Sequence, residues 1–398
     1  MKLLRCIRSL DPALGGVQEG VRQSCLGLPE MGLSVEVVCL DKPDALWLRD
    51  YPARIHALGP PKLGSRAVSV EPWGYSRRFV RWMQAHAKEY DAVTVEGVWQ
   101  FAGWGTWLAI RQSKIPYFVV THSQLDPWYN SEYPTKHIKK QLYWLLVQHR
   151  VMRDAYAIIY YNEQERILAR KSFWPYRVND ETFVGLPVGG PTKDSQRQLG
   201  LFFETFPELQ DRRLVLFLGR IDRKKGCDIL IDAFARVART DKALHLVLAG
   251  PYQMGWQQEL REKVVDLGLD TKVTWTGMLL GDAKWGALHA AEVFVLPSHT
   301  EGYPAAMVEA MACGVPVLIS DKVNIWSEVE ATGGALVARD DLDGTTELLH
   351  RWLQLTPEER RNMALKAREG YTTQFSRAAT LKRLVSVLQS FEDRESRS

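Results

Sequence analysis

Cysteine is scarce in this chain, which has five cysteines among 398 residues. None of the five stands at a spacing typical of a disulfide framework or a metal site. Small secreted proteins held together by disulfides are therefore excluded, because they need paired cysteines at close intervals. The pattern favours a reduced, cytoplasmic protein.

Long apolar runs and a strong charge of one sign are also missing. No segment approaches the roughly 18 apolar residues that a membrane span requires, and the start Met-Lys-Leu-Leu-Arg lacks the apolar core of a signal peptide. The net charge is only +4, so composition does not indicate a nucleic acid partner. We expect a soluble or peripheral protein.

Short apolar runs alternate with helical stretches twice along the chain, which predicts an α/β fold of two Rossmann-like domains with parallel sheets around a central crevice. The expected boundaries are a first domain over 1–190, a linker over 191–210, a second domain over 211–375 and a terminal helix over 376–392 that returns to the first domain. The predicted strands are 3–7, 35–40, 92–96, 117–121, 157–161 and 182–185, then 214–218, 244–249, 273–276, 293–296, 315–319 and 335–337.

Two glutamates stand eight positions apart in the stretch 297–317. The sequence predicts a strand that ends at Leu296, a loop that holds Glu301, and a short helix from about Pro304 that holds Glu309. Open α/β sheets bind ligands at the carboxyl ends of their strands. We therefore expect both carboxylates to accept hydrogen bonds from ligand hydroxyls in one crevice.

A basic turn follows the first strand of the second half. Arg220 and Lys225 would lie between that strand and a helix start, where fixed cations and free backbone amides bind phosphate. A diphosphate is the expected ligand, although a solvated basic turn would explain the same residues. In the first half, Gly15 and Gly16 would let the backbone approach a ligand, although a glycine pair is more often only a turn.

Together these stretches resemble the retaining glycosyltransferases of family 4, also called group 1, which have the GT-B fold. The strongest matches are Gly219-Arg220 with Lys225-Gly226, and Glu301-Gly302 with the run 309–317. The loop 15–18 adds support, and so does the stretch 121–128, which looks like enzymes of exopolysaccharide and O-antigen assembly. The resemblance covers nearly the whole chain.

The resemblance implies a role for each matched residue. The implied catalytic residues, which neutralise the diphosphate and contact the sugar, are His122, Arg220, Lys225 and Glu301. The implied nucleotide-binding residues are Gly16, Gly250, Gly277, Met278 and Glu309. The implied residues on the acceptor side are Gln18, Asp126 and Trp128.

The implied reaction moves a hexose-type sugar, with retention, from a UDP- or GDP-sugar to a hydroxyl of a glycan or polyprenyl-linked saccharide. The implied process is cell-surface polysaccharide biosynthesis. We expect no cofactor. We also expect no metal, since Asp341 and Asp343 look like helix-start residues and not like metal ligands. Three other functions stay open: a nucleotide-sugar epimerase of the same fold, a phosphorylase-like enzyme, which would need a pyridoxal-binding lysine, and a non-catalytic nucleotide-sugar-binding protein.

A basic amphipathic stretch begins at residue 136. Lys136, Lys139 and Lys140 alternate with large apolar side chains at helical spacing. Such a helix is typical of binding to an anionic membrane surface, here on the inner face of the cell membrane. A helix that packs its apolar face into the first domain would explain the pattern equally well.

The sequence departs from the family pattern at three places, namely residues 321–326, 186–189 and 161–162. These departures weaken any inference about which sugar is transferred.

Overall fold

The computed structural model describes residues 1–59, 73–128, 130, 134–192, 194–239, 241–252 and 255–395, with side chains to residue 390. The chain forms two compact units. The first comprises Met1–Pro187 and Arg377–Ser398, and the second comprises Val188–Ser376. Within the described part, no helix is both long enough and apolar enough to cross a bilayer.

The first unit is built on a parallel sheet of seven described strands in the order β3-β2-β1-β4-β5-β6-β7. Its strands are β1 Lys2–Ile7, β2 Ser34–Cys39, β3 Arg54–Ala57, β4 Ala92–Glu96, β5 Tyr117–Val120, β6 Ala157–Tyr160 and β7 Glu181–Phe183. Its helices are α1 Gly16–Gly27, α2 Arg77–His86, α3 Phe101–Ile110, α4 Pro134–Tyr143, α5 His149–Arg153, α6 Glu163–Ala169 and, after the second unit, α15 Arg377–Glu395. A π-helical segment, Trp144–Gln148, joins α4 to α5.

The second unit is built on a parallel sheet of six described strands in the order β10-β9-β8-β11-β12-β13. Its strands are β8 Arg213–Leu218, β9 Leu244–Ala249, β10 Val273–Gly277, β11 Ala291–Leu296, β12 Val317–Ser320 and β13 Ala335–Ala338. Its helices are α7 Ser195–Thr205, α8 Cys227–Val237, α9 Trp256–Asp266, α10 Gly281–Ala290, α11 Ala305–Ala312, α12 Trp326–Ala331, α13 Leu342–Gln354 and α14 Pro357–Gly370.

Apolar strand sequences explain both sheets. The central strands are buried along nearly their whole length, as in β4 and β9. Such strands are typical of parallel sheets covered by helices on both faces. The predicted α/β class is confirmed, and each of the twelve predicted strands overlaps an observed one.

One strand was missed. Strand β3 has the sequence Arg-Ile-His-Ala and is only partly buried at the edge of its sheet. It pairs in parallel with β2 from Glu36 to Cys39. An edge strand needs no continuous apolar run, so hydrophobic pattern could not reveal it.

The expected linker, 191–210, contains helix α7. This helix packs closely on α10, since a Cβ at Gly286 would lie 2.1 Å from the carbonyl oxygen of Gln198. The segment is therefore structured over residues 195–205. Residue 193 lies outside the described residues.

Candidate functional site

In the second unit, the loops that follow β8 and β11 meet at the point where the strand order reverses. Gly226 has a φ of 66°, and a Cβ there would lie 2.3 Å from the carbonyl oxygen of Pro297 in the other loop. The amide of His299 also donates to the carbonyl oxygen of Lys224 at 2.9 Å. Ligands of open α/β sheets bind at this position, and the loops that meet here carry the predicted basic and acidic residues.

Lys225 and Glu301 form an ion pair across these two loops. Both side chains are about five-sixths buried, at 16% and 15% exposure. Burial acts to raise the pKa of Glu301, but the charges of Lys225 and Lys224 outweigh it and hold that pKa below its usual value of 4.5. Glu301 is therefore an ionised carboxylate paired with Lys225.

The backbone of Glu301 is fixed by the loop after β12. Its amide donates to the carbonyl oxygen of Lys322 at 3.0 Å, and its own carbonyl oxygen accepts from the amide of Asn324 at 2.8 Å. The segment in which this chain departs from the family pattern thus holds a predicted catalytic residue. Sequence reasoning did not anticipate that contact.

Glu309 lies inside α11, as predicted, and Lys284 of α10 binds its carboxylate. The Nζ of Lys284 donates to Oε1 of Glu309 at 2.6 Å, and the glutamate side chain is 11% exposed. Sequence reasoning missed Lys284. Nothing distinguishes it from other lysines in a first helical turn.

Arg220 and three residues at neighbouring strand ends complete the predicted set in this unit. Arg220 is 71% exposed and lies 3.5 Å from the carboxylate of Asp222. A Cβ at Gly250 would lie 1.8 Å from the carbonyl oxygen of Gly219, so no side chain fits there. Gly277 accepts a 2.8 Å hydrogen bond from Gly250, and the following Met278 is 54% exposed.

The glycine loop of the first unit precedes α1. Gly15 has a φ of 104°, which explains why glycine stands there. Gly16 has no such φ, and a Cβ on it would meet nothing within 4 Å. Open space therefore borders Gly16, although the packing of the described residues does not require a glycine at that position.

His122 lies in a buried polar cluster of the first unit, with its side chain 2% exposed. Its Nε2 lies 3.0 Å from Oε2 of Glu96, and its Nδ1 bonds the hydroxyl of Tyr161. Arg5 also donates to Glu96, through Nε at 3.0 Å. In the structure both ring nitrogens thus bond protein groups. A sugar hydroxyl could bond the ring only by displacing one of them.

The charge of this cluster follows from its contacts. Burial acts to raise the pKa of Glu96, but Arg5 and the hydrogen bond from His122 lower it to about 2. The ionised Glu96 carboxylate can only accept hydrogen bonds, so Nε2 of His122 carries the proton in the hydrogen bond between these two residues. The position of Glu96 at the carboxyl end of β4 could have marked it as a site residue in the sequence.

The loop after β5 is held by Glu165. Its Oε1 accepts from the hydroxyl of Thr121 at 2.5 Å and from the amide of Ser123 at 2.6 Å. These contacts stabilise the left-handed backbone of His122 and Ser123, whose φ values are 51° and 57°. Further along, Oδ1 of Asp126 accepts from the amide of Trp128 at 2.9 Å. The acceptor-side candidates Asp126 and Trp128 are thus bonded to each other.

The basic amphipathic stretch forms α4, the π-helical segment and α5. Lys136 and Lys139 are exposed, whereas Lys140 is partly buried, with its Nζ 4.9 Å from the centre of the Trp99 ring. Apolar side chains are exposed beside these lysines. We call this set the basic apolar surface, and it consists of Lys136, Ile138, Lys139, Leu142, Leu145, Leu146 and Arg150, with the four apolar members 43–69% exposed.

Asp341 caps α13, because its side chain accepts from the amide of Gly344 at 2.7 Å. This agrees with its interpretation as a helix-start residue. Among the described residues, no group of three or more metal-ligating side chains of the His, Cys, Asp and Glu types was found. Independence of metals stays a prediction.

Comparison with protein families gives two matches. The model described as "Glycosyl transferases group 1" matches residues 202–370, and the model described as "Glycosyl transferase 4-like domain" matches residues 15–179. The first match contains all the predicted site residues of the second unit. The second match contains those of the first unit.

Curated relatives and solved structures agree with these matches. A mannosylfructose-phosphate synthase of Agrobacterium fabrum is 32% identical over 158 residues, which are 38% of this chain and 33% of that protein. The putative colanic acid biosynthesis glycosyltransferase WcaL of Escherichia coli K12 is 29% identical over 184 residues, 44% of this chain and 45% of WcaL. The chain thus matches less than half the length of either curated relative.

A solved structure extends the likeness to the whole chain. HepE of Anabaena, in complex with UDP-glucose, superposes with a TM-score of 0.74 at 17% identity, over 98% of this chain and 100% of that chain. At such low identity, the likeness establishes the fold alone.

Proposed function

The chain belongs to the group 1 glycosyl transferases of the GT-B fold, and we propose that it moves a hexose-type sugar from a nucleoside diphosphate to an acceptor hydroxyl. The observation that carries this proposal is the Lys225–Glu301 pair at the strand-order reversal of the second unit. It joins a cation suited to phosphate with a carboxylate suited to sugar hydroxyls. The UDP-glucose held by HepE supports a nucleotide sugar as the ligand.

The two cations act on the leaving group. Departure of the nucleoside diphosphate develops negative charge on phosphate oxygens, which Lys225 and the exposed Arg220 stabilise. Glu301 accepts hydrogen bonds from the sugar, and Glu309 from the ribose. Lys284 orients the Glu309 carboxylate for that contact.

Retention follows if the acceptor attacks on the face that the leaving group vacates. The acceptor oxygen bonds the anomeric carbon as the bond from that carbon to the phosphate oxygen breaks, and the departing phosphate takes the hydroxyl proton. No enzyme nucleophile is required, which agrees with the pairing of Glu301 to Lys225. The reaction then proceeds without a metal or a cofactor, and activity is expected to persist in EDTA.

The acceptor is a glycan or a polyprenyl-linked saccharide, and the process is cell-surface polysaccharide biosynthesis. The name of WcaL, which refers to colanic acid, supports this assignment. The basic apolar surface supports peripheral attachment to the cytoplasmic face of an anionic membrane, where a lipid-linked acceptor would lie.

A screen of UDP-, GDP- and ADP-sugars by thermal shift tests the proposal. A sugar donor that binds only the folded chain raises its melting temperature. The substitution Glu309→Gln removes the charge of the proposed ribose-binding carboxylate and should weaken binding of the sugar donor about 10- to 100-fold. That range corresponds to the loss of one hydrogen bond to a charged group. The exposed Glu204, on helix α7, provides the control Glu204→Gln, which should bind as the wild type does.

Product analysis completes the test. With the sugar donor identified, a glycoside should form with the same anomeric configuration as the donor. Epimerised nucleotide sugar without any glycoside would contradict the proposal, and so would equal binding by Glu309→Gln and the wild type.

A further inference from the structure

A lysine on α10 contacts the carboxylate to which the proposed reaction assigns the ribose. The Nζ of Lys284 lies 2.6 Å from Oε1 of Glu309, and the two side chains are 23% and 11% exposed. Helix α10 begins shortly after Gly277 and Met278, the residues expected to bind the nucleotide. The pair thus joins the helix that follows these residues to the helix that carries the proposed ribose carboxylate.

The backbone on both sides of this pair is fixed. Nε2 of Gln198, on α7, donates to Oδ1 of Asp282 in the first turn of α10 at 3.1 Å. Glu309 lies in the buried stretch 307–312 of α11. Lys284 and Glu309 are therefore held on packed helices, and a ligand would meet the two charges at a defined separation.

The ammonium of Lys284 can donate to more than one acceptor. It carries three N–H donors, and the described residues provide one hydrogen-bond acceptor for them, Oε1 of Glu309. The ring of Trp285 is also close, with its centre 4.6 Å from Nζ, but a ring face attracts a cation without replacing an oxygen acceptor. A ligand oxygen beside Glu309 can therefore accept a hydrogen bond from Lys284.

An acceptor and a donor side by side match two neighbouring hydroxyls. One hydroxyl donates to the carboxylate of Glu309, and the oxygen of its neighbour accepts from Lys284, which lies within hydrogen-bond distance of that carboxylate. Ribose has such a pair of hydroxyls at its 2′ and 3′ carbons, whereas 2′-deoxyribose has lost one of them. A site that hydrogen-bonds a hydroxyl rejects an analogue without it, because the polar groups of the site are then left unpaired.

We propose that Lys284 binds the ribose directly, by donating to the hydroxyl oxygen next to the hydroxyl that Glu309 binds, and that this contact selects ribonucleotide donors over deoxyribonucleotide donors. The inference deepens the proposed function and rests on it, because it takes a nucleoside diphosphate to be bound at Glu309. Lys284 then determines specificity in addition to orienting Glu309. Sugars carried on deoxythymidine diphosphate are poor donors for this chain.

Calorimetric titration of the full chain with nucleotides tests this inference. The probes are UDP, GDP and ADP, each also in its 2′-deoxy and 3′-deoxy form. The wild type should bind at least one ribonucleotide, and should bind both deoxy forms of it about 10- to 100-fold more weakly, the effect of one lost hydrogen bond to a charged group. One form lacks the hydroxyl at Glu309, and the other lacks the hydroxyl at Lys284.

The substitution Lys284→Met separates direct binding from orientation of Glu309. The variant should bind the ribonucleotide about 10- to 100-fold more weakly than the wild type does. It should bind one of the two deoxy forms as the wild type does, because that form lacks the oxygen that Lys284 contacts. Equal weakening for all three forms would mean that Lys284 only orients Glu309, and would overturn the inference. Unchanged binding of all three would overturn it too.

The matched control is Lys263→Met. Lys263, on α9, forms a similar pair with Asp232 of α8 at 2.7 Å, and its side chain is 32% exposed. This variant should bind all the nucleotides as the wild type does. Lys284→Ala is measured beside Lys284→Met, with circular dichroism as the check that each variant is folded. Equal affinity of the wild type for the three forms would overturn the inference whichever variant folds.

The outcome is separable from that of the proposed function. If the wild type binds none of UDP, GDP and ADP, the proposed donor site is refuted, and the role of Lys284 falls with it. If the wild type binds a ribonucleotide but shows no preference over the deoxy forms, only the role of Lys284 is refuted.

Discussion

At the scale of single residues, Glu96 shows how burial and charge combine. Its side chain is fully buried, and Arg5, only 5% exposed, supplies the compensating charge. The Nη2 of Arg5 lies 2.8 Å from Oε1 of Glu96. Removing one partner of a buried ion pair leaves the other charge buried and unpaired. The free-energy cost of that unpaired charge exceeds the net stabilisation that the intact pair provides.

We expect Glu96→Gln to lower the free energy of unfolding by about 3–5 kcal/mol, the range found when one partner of a buried pair is removed. Urea denaturation followed by circular dichroism would measure it. The control is Glu89→Gln, because Glu89 is exposed in the same unit. An equal, small effect of both substitutions would show that Arg5 finds another partner.

The same residue predicts a pH dependence. The pKa of Glu96 is lowered from 4.5 to about 2 in the folded chain, so its contribution is complete above pH 4.5 and is lost as the pH falls towards 2. Wild-type stability should therefore decline more steeply over this range than that of Glu96→Gln. Parallel acid-denaturation curves would contradict the assignment.

At the scale of elements, the segment from α4 to α5 has one buried face and one exposed face. Trp144, Gln148 and Val151 are buried, whereas Ile138, Leu142 and Leu146 are exposed on another side. The packing interpretation of this segment is thus correct for one face. It does not account for the exposed leucines, and contiguous exposed apolar groups commonly mark an interaction surface.

We predict that this surface binds anionic vesicles. Sedimentation with phosphatidylcholine vesicles should show binding only when phosphatidylglycerol is included. The double change Lys136→Glu with Lys139→Glu should weaken binding by about tenfold or more, at about 1 kcal/mol for each lysine near an anionic surface. Leu142→Asp should weaken binding too.

The matched control is Leu365→Asp, since Leu365 is 70% exposed on α14 of the second unit. It should bind as the wild type does. Binding that is indifferent to phosphatidylglycerol, or equal losses in Leu142→Asp and Leu365→Asp, would contradict the prediction.

At the scale of the whole molecule, helix α15 belongs to the first unit, although the whole second unit precedes it in the chain. Helix α15 packs on α1, and a Cβ at Gly27 would lie 2.5 Å from Cδ1 of Leu381. Leu381, Leu384 and Leu388 are buried, and Arg383 donates through Nε to the carbonyl oxygen of Val184 at 2.9 Å. The last helix is therefore part of the core of the first unit.

Truncation after Ser376 should unfold the first unit. Three buried leucines contribute about 1.5–3 kcal/mol each, a sum comparable to the whole stability of a typical domain. Limited proteolysis should then cleave residues 1–187 rapidly and spare residues 188–376. Truncation after Ser390, which keeps the three leucines, is the control, and equal protection of both truncated chains would contradict this role.

The sequence by itself determined the strands, the α/β class and the positions of the two glutamates, because apolar periodicity and turn residues act over a few neighbouring positions. The sequence did not predict the edge strand β3, nor helix α7, which lies within the expected linker. Tertiary structure alone decided which groups meet. Lys225 and Glu301 are 76 residues apart, and Glu96 and His122 are 26 apart.

Parallel strands bring such residues together because their carboxyl ends lie along one edge of a sheet, whatever the length of chain between them. For the same reason, only the structure showed that Lys284 holds Glu309, that His122 is buried, and that Gln18 lines a small cavity of the first unit.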